Sequence, residues 1–420
     1  MARFCFVSFA QPGHCDFGGM SYVRTAQELM RRGHEVRWVL SRHWRGHHYA
    51  RVCALLQSLA IPTKDLGHLY LTVDHHNEDM RLSSRAFARH ITSEQYDCVV
   101  LDRLCIGAAF AAHAAGIPWA VVGTDGREWS HQKQRFMRNS AVLPWPRSYS
   151  NIDKLADDLC RNDFPRPSAS SYWATSPFLN LSFFPRAYYE DGKRAVLPAH
   201  SHFMGSGPAR EPLPERKQLL VTFGNSFDPI LRRQLISIVL PFIRNRSIPT
   251  MVLTGEEAVT KILRDVFQEL PHVTIKEWVP YDEAYRGVRA VVGHGGTSHI
   301  WYGMREGTPL LAIPHIGDQV YGGCQLERLN IGRVVLPLVV PGLPSRLLRK
   351  LGKIGIRLSK SELVNKLHDV LTDEEVFENS LRLSRVMRTG GGVEASALLL
   401  ECLARERSCI STCVEPSCCC

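Results

Sequence analysis

A glycine-rich turn between a short apolar strand and a helix-like run constrains this chain more than any other feature. The strand is Ala290-Val291-Val292, and the turn is Gly293-His294-Gly295-Gly296-Thr297-Ser298-His299. Such a turn leaves backbone N–H groups pointing outward at the positive end of the helix dipole, where a phosphate is stabilised. The sequence therefore predicts an anion seat where a buried strand passes into a helix.

A second buried strand follows the turn, with polar side chains after it. The strand lies in Gly307-Thr308-Pro309-Leu310-Leu311-Ala312-Ile313-Pro314, and Asp318-Gln319 comes soon afterwards in a predicted polar loop. A carboxylate and an amide at the carboxyl end of a strand, beside a phosphate seat, can hydrogen-bond sugar hydroxyls. The pattern is typical of a site for a sugar joined to a diphosphate.

Five ordered elements of the carboxy-terminal half form one set: Trp278-Val279-Pro280, His294-Gly295-Gly296, Gly307-Thr308-Pro309, Pro314 and Asp318-Gln319. This set resembles the donor-binding signature of the family 1 nucleotide-sugar glycosyltransferases, which include plant secondary-product and bacterial antibiotic enzymes. The resemblance implies an α/β chain of GT-B architecture, with two facing Rossmann-like doubly wound domains and an interdomain cleft. It also implies inverting transfer of a sugar from a UDP- or dTDP-linked donor to a hydroxyl of a small-molecule acceptor, by default a natural product.

The same resemblance assigns the diphosphate contacts. His294 is expected to hydrogen-bond the diphosphate, Gly295 and Gly296 to let the backbone approach it, and Thr297 or Ser298 to add a hydroxyl. An ordinary tight turn with a capping hydroxyl is the alternative. His299 stands where the family commonly has serine or threonine, which is a departure from the pattern.

The nucleotide contacts are assigned in the same way. Trp278, followed by Val279, is expected to stack on the base, the alternative being a core tryptophan. Asn225 or Ser226, after the Gly224 turn, is expected to reach the phosphates or to cap the next helix. Tyr302 stands where many UDP-sugar enzymes have a glutamate for the ribose hydroxyls. Since a tyrosine cannot make that bidentate contact, a dTDP-deoxysugar donor competes with a UDP-sugar.

The amino-terminal half opens with a predicted strand, Phe4 to Phe9, then a loop that contains His14. A loop after the first strand of a doubly wound sheet faces the ligand crevice. By resemblance His14 is the general base that deprotonates the acceptor, and Asp102, at the end of a later strand, is its orienting carboxylate. The alternatives are a structural histidine and an aspartate that caps the next helix; Asp16 ranks below His14 as a base.

A chain of 420 residues suits two domains. Composition predicts a Gly/Pro-rich linker at 205–216 and a Cys-rich tail at 408–420. With these bounds, the resemblance implies an acceptor-binding domain at 1–204, a nucleotide-sugar domain at 217–389 and a terminal helix packing across the domains at 390–407.

The net charge of +10 raises the question of nucleic-acid binding, but the basic residues are spread out and match no nucleic-acid module, so none is expected. No apolar run is long enough to span a membrane. The basic segment 341–354 is predicted to be a surface excursion, with peripheral membrane contact as the alternative. Eight cysteines are scattered singly and five lie in a terminal group, a distribution that predicts a reducing, cytoplasmic environment. No small-residue cleavage site follows the first strand, so no signal peptide is expected.

No metal or cofactor is expected, because the chain has no Asp-x-Asp motif and the polar cluster 74–79 lacks a metal-ligand spacing; the nucleotide sugar is a co-substrate. Two other functions stay open. One is a nucleotide-sugar 2-epimerase-like isomerase. The other is a catalytically inactive nucleotide-sugar-binding partner subunit.

Overall fold

The computed structural model describes residues 1–9, 22–41, 49–67, 69–71, 77–122, 175–189, 200–208, 215–224, 229–244, 248–267, 269–314, 317–339 and 356–410. These residues form two compact units. The first comprises the described residues up to 208 and those from 387 onward, and the second comprises those between 215 and 386.

The first unit is built on a parallel sheet whose described strands run in the order β3-β2-β1-β4-β5-β6-β7. These strands are β1 (Arg3–Phe9), β2 (Glu35–Ser41), β3 (Thr63–Lys64), β4 (Cys98–Asp102), β5 (Trp119–Val122), β6 (Leu179–Ser182) and β7 (Ser201–Phe203). The described helices of this part of the chain are α1 (Tyr22–Arg31), α2 (Tyr49–Ser58), α3 (Asn77–Ser93) and α4 (Ile106–Ala114), with a 3-10 turn at Arg186–Tyr188.

Aromatic packing fixes the centre of this sheet. Phe6 on β1 stacks on Trp38 of β2, with 5.2 Å between ring centroids. The Tyr22 hydroxyl donates to the carbonyl oxygens of Val7 and Val100, at 2.8 and 2.7 Å. Because the two carbonyls belong to neighbouring strands, this tyrosine ties the start of α1 to both. Residues 4–8 of β1 are fully buried, which is typical of a parallel strand covered on both faces.

The second unit has a parallel sheet with described strands in the order β10-β9-β8-β11-β12-β13. They are β8 (Gln218–Thr222), β9 (Thr250–Leu253), β10 (Val273–Lys276), β11 (Val288–Gly293), β12 (Leu310–Ala312) and β13 (Gly332–Val334), with a separate antiparallel pair, β14 (Leu338–Val339) and β15 (Ile356–Arg357). The helices are α5 (Pro229–Arg244), α6 (Glu257–Phe267), α7 (Tyr281–Ala284), α8 (Thr297–Glu306), α9 (Gly317–Arg328), α10 (Lys360–Thr372) and α11 (Glu374–Thr389).

The last described helix, α12 (Gly392–Glu406), belongs to the first unit and packs against α1. His34 ties the two regions together, since its Nε2 lies 2.8 Å from a carboxylate oxygen of Glu401. The backbone before α12 crosses residues 204–207 closely: the N–H of Gly392 donates to the carbonyl of Met204 at 2.8 Å. A Cβ on Gly390 would overlap that same carbonyl oxygen, so glycine permits the crossing.

No described helix combines the length and the apolar character that crossing a bilayer requires. No group of three or more His, Cys, Asp or Glu side chains in the described ranges is arranged to hold a metal ion. The segment 341–354 and the tail from 411 onward lie outside the described residues.

Candidate functional site

The strand ends of the second sheet bring the predicted donor elements together. Gly293, the last residue of β11, lies in register with Thr222 of β8 on one side and Ala312 of β12 on the other. The strand order reverses between β8 and β11, and in open α/β sheets ligands bind beyond the carboxyl ends of the strands at such a point. The turns after these three strands therefore surround one position.

The turn after β11 ends in a helix that lacks a capping side chain. Gly296 is the N-cap residue, with φ −69° and ψ 157°, and α8 begins at Thr297. Because glycine has no side chain to accept from the first-turn N–H groups, an anion can take that place. Thr297 and Ser298 are half-buried at the same end of the helix.

His294 lies between this helix and the turn after β8, with only 8% of its surface exposed. A Cβ on Gly224, whose φ is +67°, would stand 3.0 Å from Cε1 of His294. A Cβ on Gly296 would overlap Nε2 of the same ring and lie 2.8 Å from Cδ2. Two glycines thus leave room for one imidazole. Asn225 and Ser226, which follow Gly224 and were predicted to reach the phosphates or to cap the next helix, lie outside the described residues.

Gly295 brings the turn against the next strand and helix. Its φ is +71°, and a Cβ there would lie 3.0 Å from Cβ of Ala312 and 3.3 Å from the carbonyl oxygen of Gln319. Asp318 and Gln319 occupy the first turn of α9, whereas the sequence predicted a polar loop. An aspartate in a first helical turn is favoured by the helix dipole. Gln319 is buried, and the side chain of Asp318 lies outside the described part.

Trp278 and Val279 follow β10 and differ sharply in burial. Trp278 is 56% exposed, whereas Val279 is buried. The indole is therefore not a core tryptophan and presents a face on which a planar ring can stack. β10 is the edge strand of the described sheet, two strands away from β8.

Asp102 is the one predicted catalytic side chain within the described residues; His14 lies outside them. Asp102 is the last residue of β4, 5% exposed, and Oδ1 accepts a hydrogen bond from the Leu104 N–H at 2.9 Å. The helix α4 begins at Ile106, with Cys105 as its N-cap residue. The carboxylate therefore braces the strand-to-helix turn and does not occupy the helix cap. Its strand pairs with β1, which precedes His14 in the sequence.

An aromatic cluster lies beside the turn after β11 and was not predicted from the sequence. Tyr281, Tyr285 and Tyr302 have ring centroids 5.3 to 5.6 Å apart. Tyr302, singled out as a departure from the family pattern, is buried in this cluster, with the guanidinium of Arg305 4.7 Å from its ring centroid. Tyr281 also contacts His299. Tyr281 and Tyr285 are four residues apart at α7, but their contacts to Tyr302 and His299 join two different helices, and no spacing in the sequence signals those.

No protein-family model matches the chain. Among curated proteins it is similar to UDP-glycosyltransferase 708G2 of Citrus unshiu, 29% identical over 127 residues that make up 30% of this chain and 24% of that protein. It is also similar to the NDP-glycosyltransferase YjiC of Bacillus subtilis strain 168, 21% identical over 238 residues, or 54% of each chain. The chain thus spans at most about half the length of these two curated relatives.

Solved structures match almost the whole chain. The glycosyltransferase SnogD from Streptomyces nogalater has a TM-score of 0.63 at 18% identity, covering 96% of this chain and all of SnogD. The calicheamicin glycosyltransferase CalG4 has a TM-score of 0.64 at 17% identity, covering 96% and 99%. VinC, solved in complex with dTDP, has a TM-score of 0.60 at 16% identity, covering 97% and 100%. Together with the two parallel sheets, these matches confirm the predicted GT-B fold.

Proposed function

We propose that this chain, whose relatives and solved neighbours confirm its resemblance to the family 1 nucleotide-sugar glycosyltransferases, transfers a sugar from a nucleoside-diphosphate donor to an acceptor. One observation carries the proposal: His294 and the uncapped start of α8 meet at the point where the strand order of the second sheet reverses. Backbone N–H groups at a helix start stabilise the charge that gathers on a departing diphosphate.

The proposed chemistry is a single displacement with inversion. An acceptor hydroxyl oxygen forms a bond to the anomeric carbon while the bond from that carbon to the diphosphate oxygen breaks. His14 takes the hydroxyl proton, and Asp102 orients the imidazole and stabilises its charged form. The helix dipole of α8 and His294 receive the leaving diphosphate without a metal ion.

The donor is proposed to carry either UDP or dTDP, and the burial of Tyr302 favours dTDP. Its ring packs against Tyr281 and Tyr285, and no carboxylate occupies this position to accept from two ribose hydroxyls. A 2′-deoxyribose does not require that contact. VinC, which was solved with dTDP, is consistent with this preference. The acceptor is proposed to be a small molecule of secondary metabolism, handled in the cytoplasm.

The test combines binding and turnover. Calorimetric titration with UDP and dTDP measures the seat directly, and product analysis with a panel of nucleotide sugars and hydroxylated acceptors measures transfer. The substitution His14→Ala is expected to abolish sugar transfer while leaving nucleotide affinity unchanged. Failure of the wild-type protein to bind either nucleotide would refute the proposal. Conversion of the donor without any acceptor would favour the isomerase instead, and binding without turnover would favour the inactive subunit.

A further inference from the structure

His299 packs directly on the histidine of the proposed phosphate seat. It is the third residue of α8, almost completely buried, and its ring centroid lies 4.3 Å from that of His294 at an interplanar angle of 62°. Its ring also lies against the strand end, because a Cβ on Gly293 would stand 2.6 Å from Nδ1. The imidazole of His299 therefore fills the space behind His294 and limits where that ring can turn.

Tyr281 fixes the orientation of His299. Its hydroxyl lies 2.8 Å from Nε2 of His299, and the two rings meet edge to face at 5.3 Å. In the described part of the chain no hydrogen-bond partner reaches Nδ1 of His299. The hydroxyl of Tyr281 is thus the polar group that determines how this ring is turned.

The surroundings keep His299 neutral. Burial lowers its pKa from 6.5 to about 3, with desolvation as the cause. A neutral ring can pack edge-on against His294 without charge repulsion and without competing for the anion at the start of α8. The contact is therefore suited to holding a neighbouring ring in place, not to transferring a proton.

We propose that His299, held by Tyr281, is a positioning residue that fixes the imidazole of His294 toward the donor diphosphate. This inference rests on the proposed function. His299 does not itself touch the nucleotide; it acts through His294, and Tyr281 acts through His299. The network extends from α7 through α8 to the turn after β11. The hydroxyl of Tyr281, which lies outside the phosphate seat, therefore influences how tightly the seat binds the donor diphosphate.

Calorimetric titration with dTDP and UDP tests the network. Tyr281→Phe removes only the hydroxyl and is expected to weaken nucleotide binding about 3- to 10-fold, the range of one lost hydrogen bond. Because both residues act on one ring, adding Tyr281→Phe to His299→Leu is expected to cause no further loss. The matched control is Tyr285→Phe, which removes a buried hydroxyl that donates to the backbone carbonyl of His299 at 3.3 Å. It is expected to bind as the wild type does.

Two further readouts separate positioning from general destabilisation. In ¹⁵N-histidine spectra, Tyr281→Phe is expected to shift the ring nitrogens of His294 as well as those of His299. His299→Gln, whose amide can still bond to the Tyr281 hydroxyl, is expected to restore nucleotide affinity relative to His299→Leu. Equal losses in Tyr281→Phe and Tyr285→Phe, or independent losses in the double variant, would overturn the network.

The failure of this inference is distinct from the failure of the proposed function. If the wild type binds nucleotide and His294→Ala loses binding, but Tyr281→Phe and His299→Leu bind normally, the network is refuted and the donor site stands. If the wild type binds neither nucleotide, the proposed function fails and the inference fails with it. Unchanged His294 resonances in Tyr281→Phe would refute the network whatever the binding result.

Discussion

The substitution Gly296→Ala tests the position of His294 directly. The backbone at Gly296, with φ −69° and ψ 157°, is one that alanine adopts without strain. The added methyl group would, however, overlap Nε2 of His294. Among the described residues, the three atoms nearest to that methyl group all belong to His294, so the substitution measures whether the ring lies where the structure places it.

The expected magnitude follows from two opposing effects. An extra methyl group forced into a packed site costs about 1–3 kcal/mol. At a compatible backbone position, replacing glycine by alanine stabilises a protein by about 0.4–1 kcal/mol through the unfolded chain. We expect a net loss of about 1–2 kcal/mol, which in a unit of this size lowers Tm by about 2–8 °C. Affinity for dTDP and UDP is expected to fall as well, because His294 must turn away.

The same substitution in a His294→Ala background is the control. With the imidazole gone the overlap disappears, so Gly296→Ala is expected to change Tm much less there, because the gain through the unfolded chain is offset by the poorer fit of alanine at a helix N-cap. The residual nucleotide affinity is expected to stay unchanged. Thermal unfolding of the four proteins and calorimetric titration provide the data. A change in Tm of the same size in both backgrounds would show that the ring does not lie against Gly296, and the geometry proposed for the seat would be wrong.

Three further outcomes are expected. Trp278→Ala should weaken nucleotide binding about 5- to 100-fold, the range of one lost base-stacking contact, with little change in Tm, since the indole is 56% exposed. Gly390→Ala should lower the free energy of unfolding, measured with urea, by about 1–3 kcal/mol, because a Cβ would overlap the Met204 carbonyl. Acid should destabilise the protein through His299, whose pKa is lowered from 6.5 to about 3. The stability that the buried, neutral His299 contributes is fully present above the unfolded-state pKa. It falls as pH drops toward the folded-state pKa, because the unfolded chain then binds a proton that the folded protein does not, and the loss is about 2 kcal/mol at pH 5.

Each of these has its own control. Trp278→Phe keeps an aromatic face and should retain most of the nucleotide affinity, so equal losses in the two variants would contradict stacking. A Gly390→Ala protein with wild-type stability would contradict the close crossing of residues 204–207. His299→Gln cannot titrate between pH 4 and 7, so its stability should depend less on pH than that of the wild type. An unchanged pH dependence would show that His299 is not the group concerned.

Parts of the fold and site could be predicted because their signals are local. Uninterrupted apolar runs such as the one in β11 indicate strands buried on both faces, and a glycine-rich turn into a helix indicates an anion seat. The structure adds facts that such signals do not contain. Trp278 is exposed although tryptophan is usually well buried, and Asp318 and Gln319 begin a helix where a loop was predicted. Both outcomes depend on the packing around these residues.

The sequence by itself determined the alternation of strands and helices, the glycines at the turns and the residue types that a diphosphate sugar requires. Only the tertiary structure decided that the turns after β8, β11 and β12 meet around His294, and that Tyr281 bonds to His299 at 2.8 Å. The physical reason is that strand and helix patterns arise from neighbours along the chain. The partners of a buried imidazole are instead chosen by how separate elements pack, which leaves no periodic mark in the sequence.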